Sequence, residues 1–294
     1  MYFFITLVFL CFVISPAAAP DSEQSINRRH FLWSVEGRKA TVYILGSIHL
    51  LKKDSYPLPA AIENIFSCCN KIAFETDLDG MKKPEMQNMM MTLGMYPAGR
   101  TLSKNISKNT YTLLREKLHA SGITIERFEQ FKPWFVAINL AGLELERMGF
   151  DPALGVDRYF FDRARQERKN MLYLETNEFQ INLFARFSPQ KQETLLKQTL
   201  EELTIIETLF KEMIDAWRTG DHDLFNSIMS KSFNEYPSIY NKLFIRRNRN
   251  WIPELIKLMN QQGDALVIVG AGHLVGKDSV IDLLKKKGYK VDQL

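Results

Sequence analysis

Apolar residues in this chain are patterned in two ways. Two short runs are apolar at nearly every position, "TVYILG" at 41–46 and "ALVIVG" at 265–270. Rich in β-branched residues and ended by glycine, they predict strands buried on both faces, as in the middle of a parallel sheet. "KIAFETD" (71–77) and "NMLYLETNE" (170–178) predict shorter strands that run into acidic residues. "FLWSV" (31–35) and Thr41–Leu45 flank the turn "EGRK" and predict a hairpin, and "YKVDQL" predicts a last strand.

Elsewhere apolar residues recur every three or four positions, the helical period. "PLPAAIENIFSCCN" (57–70) predicts a helix entered through proline. With the strands on either side it predicts a crossover unit whose two strands lie parallel and side by side. Residues 80–150 are mainly helical in pattern. "MQNMMMTLGM" (86–95) reads as a plastic core helix, a mobile lid over a groove being the alternative. Residues 188–220 predict one long helix, with Ser188 capping, Pro189 in the first turn and Gly220 at the stop. Its stripe is Leu196, Leu200, Leu203, Ile206, Phe210, Met213 and Trp217. The expected architecture is mixed α/β. A central, largely parallel sheet comes from the N- and C-terminal segments, and a mainly helical insertion occupies about 80–260. Residues 20–294 are expected to form a single domain.

Composition narrows the classes. With 46% hydrophobic and 24% charged residues, the chain is neither a disordered nor a multi-span membrane sequence. Net charge is +4, and the tight basic cluster "IRRNRN" (245–250) lacks the repeated basic and aromatic pattern of a nucleic-acid groove. No nucleic-acid partner is expected. Residues 1–19, "MYFFITLVFLCFVISPAAA", carry no charge. Their apolar run falls short of the ~20 residues that span a bilayer as a helix. It suits a signal peptide cut after Ala17 or Ala18, and a secreted or periplasmic protein. The alternative is an uncleaved N-terminal anchor, which would be the chain's one membrane contact. Cleavage would leave Cys68 and Cys69, adjacent and unsuited to a disulfide framework, read here as small core side chains.

Candidate chemistry lies at the strand ends. Both long apolar runs end in G-x-x-H, delivering His49 and His273. In parallel sheets ligands sit beyond the carboxyl ends of the strands, and glycine permits a sharp turn and a close approach there. Glu75 ends the strand that follows His49. Two imidazoles and a carboxylate can ligate a divalent transition metal with a position open for water. Asp77, Glu175 and Glu178 are candidates for a further ligand or a general base. His30, His119 and His222 lack such a setting. The chain has no H-E-x-x-H, no G-x-S-x-G and no G-x-x-x-x-G-K-[ST], and "GAGHLVG" fails the spacing of a dinucleotide loop.

The blocks "YILGSIHL", "IAFETD", "GVDRYF", "YLETNEFQ", "AWRTGD", "RRNRNW" and "VIVGAGHLVGKDSVIDLLKKKGYKV" resemble, in that order, the TraB/GumN family with its pheromone-shutdown and Tiki branches. The resemblance runs from about residue 28 to 294. It implies a mixed α/β fold and, from the Tiki branch, a metal-dependent protease favouring Mn²⁺ or Co²⁺, with Zn²⁺ the alternative. It puts the metal on His49, Glu75 and His273. It places Glu175 and Glu178 in an L-E-T-x-E-x-Q block closed by Gln180, and Arg247 and Asn248 in an R-N pair before Trp251. Arg247 would neutralise a buried acid or hold a substrate carboxylate or oxyanion. The expected function is a metal-dependent hydrolase of peptides or proteins. The alternative is a non-catalytic envelope protein that binds a peptide or signal in the same cleft.

Overall fold

In the computed structural model the described residues are 29–294, so the expected leader lies outside them. Six strands form one sheet in the order β4-β3-β5-β2-β1-β6. They are β1 (Leu32–Glu36), β2 (Thr41–Ser47), β3 (Lys71–Phe74), β4 (Asn170–Tyr173), β5 (Ala265–Gly270) and β6 (Val291–Gln293). β2, β5, β3 and β4 run parallel, while β1 and β6 add an antiparallel margin.

The hairpin and the parallel centre agree with the pattern of the chain. The neighbour of β2 does not. β5 stands between β2 and β3, so the crossover unit is split. Every residue of β5 is buried. Such a strand is most stable with both edges hydrogen-bonded and both faces covered, and only the centre of the sheet offers that. The register sets Ile44 beside Val267 and Val267 beside Ala73. The strand ends therefore stop at one level and open onto one crevice.

The first crossover helix is α1 (Ala60–Cys68), which buries Ile62 and Phe66 against the sheet. Between β3 and β4 come α2 (Pro84–Gly94), α3 (Leu102–Asn105), α4 (Lys108–Ala120), α5 (Pro133–Arg147) and α6 (Val156–Gln166). Only Gly94 of α2 is buried. The methionines there are half-covered, so the expected core helix is instead a flank. Cys69 is buried but Cys68 is exposed, which corrects half of the expectation for that pair.

After β4 follow α7 (Asn177–Ala185), α8 (Pro189–Glu202) and α9 (Ile206–Thr219), then α10 (His222–Phe233) and α11 (Pro237–Tyr240). The single long helix expected over 188–220 is two helices. Ser188 accepts from the Lys191 amide, and Gly220 stops α9 in the left-handed region at φ 69°. The break falls where Thr204, Ile205 and Ile206 place three β-branched residues in succession, which costs helix propensity. Tertiary packing decides it. Leu196 and Leu200 fill a satellite core with Leu114, Leu118, Val136 and Leu140. Ile206, Phe210, Met213 and Trp217 instead pack on the core around the sheet. Trp217 also donates its indole N–H to Gly46 O at 2.6 Å, pinning α9 to the end of β2.

A π-helical turn, Asn241–Ile245, leads into α12 (Arg246–Met259), and α13 (Val280–Lys286) follows β5. Among the described residues no helix is long and apolar enough to cross a membrane.

Candidate active site at the strand ends

The two G-x-x-H glycines do different work. A side chain on Gly46 would strike Phe31 at 2.5 Å and Ala271 at 3.2 Å, so this glycine allows packing. A side chain on Gly270 would enter the crevice. Its Cβ would stand 3.1 Å from His49 Nε2, 3.3 Å from Glu75 Oε1 and 3.6 Å from His273 Cδ2. The termini of β2, β3 and β5 thus bring His49, Glu75 and His273 around one small space.

Each imidazole is oriented from behind. His49 Nδ1 lies 2.9 Å from Asp157 Oδ2. Asp157 sits in the first turn of α6, where its amide donates to Ser47 Oγ and its other oxygen accepts the Ser47 hydroxyl. The Asp157 carboxylate raises the His49 pKa to about 9, against the effect of burial. The His49 side chain is nevertheless 54% exposed, so its ring is open to solvent from the crevice. His273 is 3% exposed. Arg247 has only donors, so its contact of 3.0 Å makes His273 Nε2 the acceptor. Nδ1–H then donates to Asn248 Oδ1 at 2.6 Å, while the Asn248 amide donates to Asp278 O. Desolvation lowers the His273 pKa to about 3, in keeping with a neutral ring.

Behind the imidazoles lies a buried ionic cluster. Arg247 Nη2 donates to Glu75 Oε2 at 2.5 Å and to Glu175 Oε2 at 2.8 Å, and Nε donates to Glu175 Oε1 at 2.8 Å. Gln180 donates to both carboxylates, Trp251 Nε1 to Glu175 Oε1, and the Gly270 amide to Glu75 Oε1 at 2.7 Å. Burial alone would raise the Glu75 pKa. The Arg247 guanidinium first, then His273, His49 and the Gly270 amide, outweigh it and hold the carboxyl far below the usual range. Two carboxylates against one guanidinium leave this cluster one negative charge in excess.

The expected site residues therefore divide. His49, Glu75, His273, Arg247 and Glu175 come together. Glu175 accepts from Arg247, Trp251 and Gln180, which fixes its carboxylate against the guanidinium. Glu178 is exposed on the first turn of α7, and with Asp77 it lines an adjoining groove of about 450 Å³ rather than the cluster. Within the basic run "IRRNRN", α12 turns Arg247 and Asn248 inward and leaves Arg246 and Arg249 exposed. Asp157 and the bridging role of Asn248 were not evident from residue type. The block "GVDRYF" contained Asp157, but only the packing of α6 against the end of β2 makes it a partner of His49.

The donor set fits a divalent metal in its chemistry. Two imidazoles have their outer nitrogens tied, with a carboxylate between them, which is how ligating histidines are commonly supported. As the side chains stand, no group of three or more His, Cys, Asp or Glu among the described residues is spaced to hold an ion. Arg247 Nη1 takes up the His273 lone pair, and metal binding there requires that hydrogen bond to open.

Comparison with known proteins places the chain. The model of the TraB/PrgY/gumN family matches residues 31–293. The chain is 24% identical over 266 residues to the uncharacterised protein YbaP of Shigella flexneri, covering 89% of this chain and 96% of that one. It is 25% identical to YbaP of Escherichia coli K12, over 83% of this chain and 87% of that one. It is 22% identical to a metalloprotease TIKI homolog of Amphimedon queenslandica, over 96% of this chain and 65% of that one. No solved structure matches it. The chain belongs to the TraB/PrgY/gumN family.

Proposed function

We propose that this protein is a secreted or periplasmic metal-dependent hydrolase of peptide bonds, with His49, Glu75 and His273 as the metal ligands. The carrying observation is the convergence of those three side chains on the space beside Gly270. The metalloprotease relatives support the reaction class. A divalent ion bound there would polarise a carbonyl as a Lewis acid; Mn²⁺ and Co²⁺ are the first ions to try. Asp157 and Asn248 hold the two rings with their Nε2 atoms toward the crevice. Arg247, fixed by Glu175, neutralises Glu75 and holds its carboxylate in place beside the two imidazoles. Glu178, on the wall of the adjoining groove, would contact the substrate beside the scissile bond.

One observation favours a second reading. The Arg247 contact occupies the His273 nitrogen that a metal would need, as suits a cleft that captures a peptide without cleaving it. Elemental analysis and a peptide-library digest with Mn²⁺ or Co²⁺ separate the two. The hydrolase reading expects bound metal and cleavage, both lost in folded His49→Ala and His273→Ala variants. Unchanged metal content in both variants removes the proposed ligand set. Stoichiometric capture without fragments supports the binding reading.

A further inference from the structure

The two margins of the sheet are built differently. β6 is three residues long and carries Asp292, which with Lys290 sets charges along that edge. Charged residues are a common defence against strand addition. The outer margin, β4, reads Asn-Met-Leu-Tyr and carries no charge. Its inner ladder uses alternate residues. Asn170 N donates to Asn70 O and Leu174 N to Phe74 O. In a parallel ladder the intervening residues, Met171 and Tyr173, then turn their N–H and C=O outward. Among the described residues no strand pairs beyond β4, and no hydrogen bond is made to those outward groups.

This bare edge leads into the site. Its C-terminal end continues through Leu174 to Glu175, and the groove beside it is walled by Thr76, Asp77, Met86, Tyr173 and Glu178. Tyr173 and Phe179 are two of the few large apolar side chains left exposed, at 44% and 39%. The charged wall residues are Asp77, Glu85, Glu178 and the Arg247-paired Glu175 against Lys83, a negative balance that suits a basic side chain.

We propose that the substrate is an extended peptide that adds to the sheet as a strand along the outer edge of β4, then turns across the strand ends toward Gly270. This rests on the hydrolase reading for the chemistry but not for the binding. The added strand would pair through main-chain groups, as in other strand-addition complexes. From that strand to β5 is three strand spacings, about 14 Å, which about four extended residues cover. With about four more residues on β4, the shortest good substrate is about eight residues long.

The test uses the whole mature chain and synthetic Ser/Thr/Val peptides of four, eight and twelve residues, each with one lysine. Amide hydrogen exchange is read by NMR at Met171 and Tyr173, without metal and with Mn²⁺, and cleavage is followed in parallel. The eight- and twelve-residue peptides are expected to slow exchange at both amides at least tenfold and to be cleaved with Mn²⁺, and the four-residue peptide to be left uncleaved. N-methylation of alternate residues in one phase should abolish protection, and in the other phase leave it intact. No protection at saturating eight- or twelve-residue peptide, or equal cleavage at every length, overturns the proposal. Cleavage without protection at these amides sinks strand addition and leaves the hydrolase reading standing. Protection without cleavage does the reverse.

Discussion

Replacing Gly270 by alanine isolates the site from the fold. The backbone there has φ −53° and ψ 135°, a conformation open to any L-residue. By itself the change should stabilise the folded chain by about 0.4–1 kcal/mol, through lost freedom in the unfolded state. The added Cβ meets His49 Nε2 at 3.1 Å and Glu75 Oε1 at 3.3 Å, so each neighbour must yield by a few tenths of an ångström. Glu75 has little room, because the Gly270 amide and Arg247 hold it at 2.7 and 2.5 Å. His49 is freer and should swing outward. The methyl group then occupies the space on which the ligands converge. Thermal unfolding of the metal-free variant is expected within about 4 °C of wild type. Mn²⁺ affinity by calorimetry, and peptide hydrolysis, should each fall at least tenfold. A folded Gly270→Ala protein with wild-type affinity and turnover would refute the assignment of that space as the reaction centre.

Other expectations follow from the same contacts. Glu175→Ala leaves the Arg247–Glu75 pair balanced in charge but strips Arg247, Trp251 and Gln180 of an acceptor, and should destabilise by about 1–3 kcal/mol, read from urea midpoints; Glu175→Gln, which keeps an acceptor, should cost less, and equal costs would argue against the acceptor's role. Trp217→Phe removes the donor to Gly46 O in the core and should cost about 1–3 kcal/mol, with an unchanged midpoint as the contrary result. In folded protein at pH 8, a thiol reagent should label Cys68 quickly and Cys69 slowly, because burial pushes the Cys69 thiol up to about 12. Glu129 tests the acid limb. Burial would raise its pKa, but the hydroxyls of Tyr111 and Ser103 outweigh that and lower it below 4.5. Its contribution to stability is therefore present above pH 4.5 and lost as pH falls through the folded value. Glu129→Gln should flatten stability against pH in that acid window, and an unaltered slope would remove Glu129 from the account.

Much of the framework was legible one residue at a time. Apolar runs with β-branched residues marked β2 and β5, because strands covered on both faces need apolar side chains at every position. The chemistry at their ends was legible as well, since G-x-x-H pairs a sharp turn with an imidazole. Local signals also set the ends of 188–220, through the Ser188 cap and the Gly220 stop. Three things were decided only by tertiary structure. β5 entered between β2 and β3, because a fully buried strand gains most in the centre of a sheet. The helix over 188–220 broke at Thr204–Ile205, because its apolar stripe serves two separate cores. Glu175 and Glu178, alike in sequence setting, parted company, because only Glu175 lies within reach of Arg247. Periodicity records which face a residue turns inward. Which distant charge it meets there depends on how α6 and α12 pack across the strand ends, and that is a property of the assembled fold.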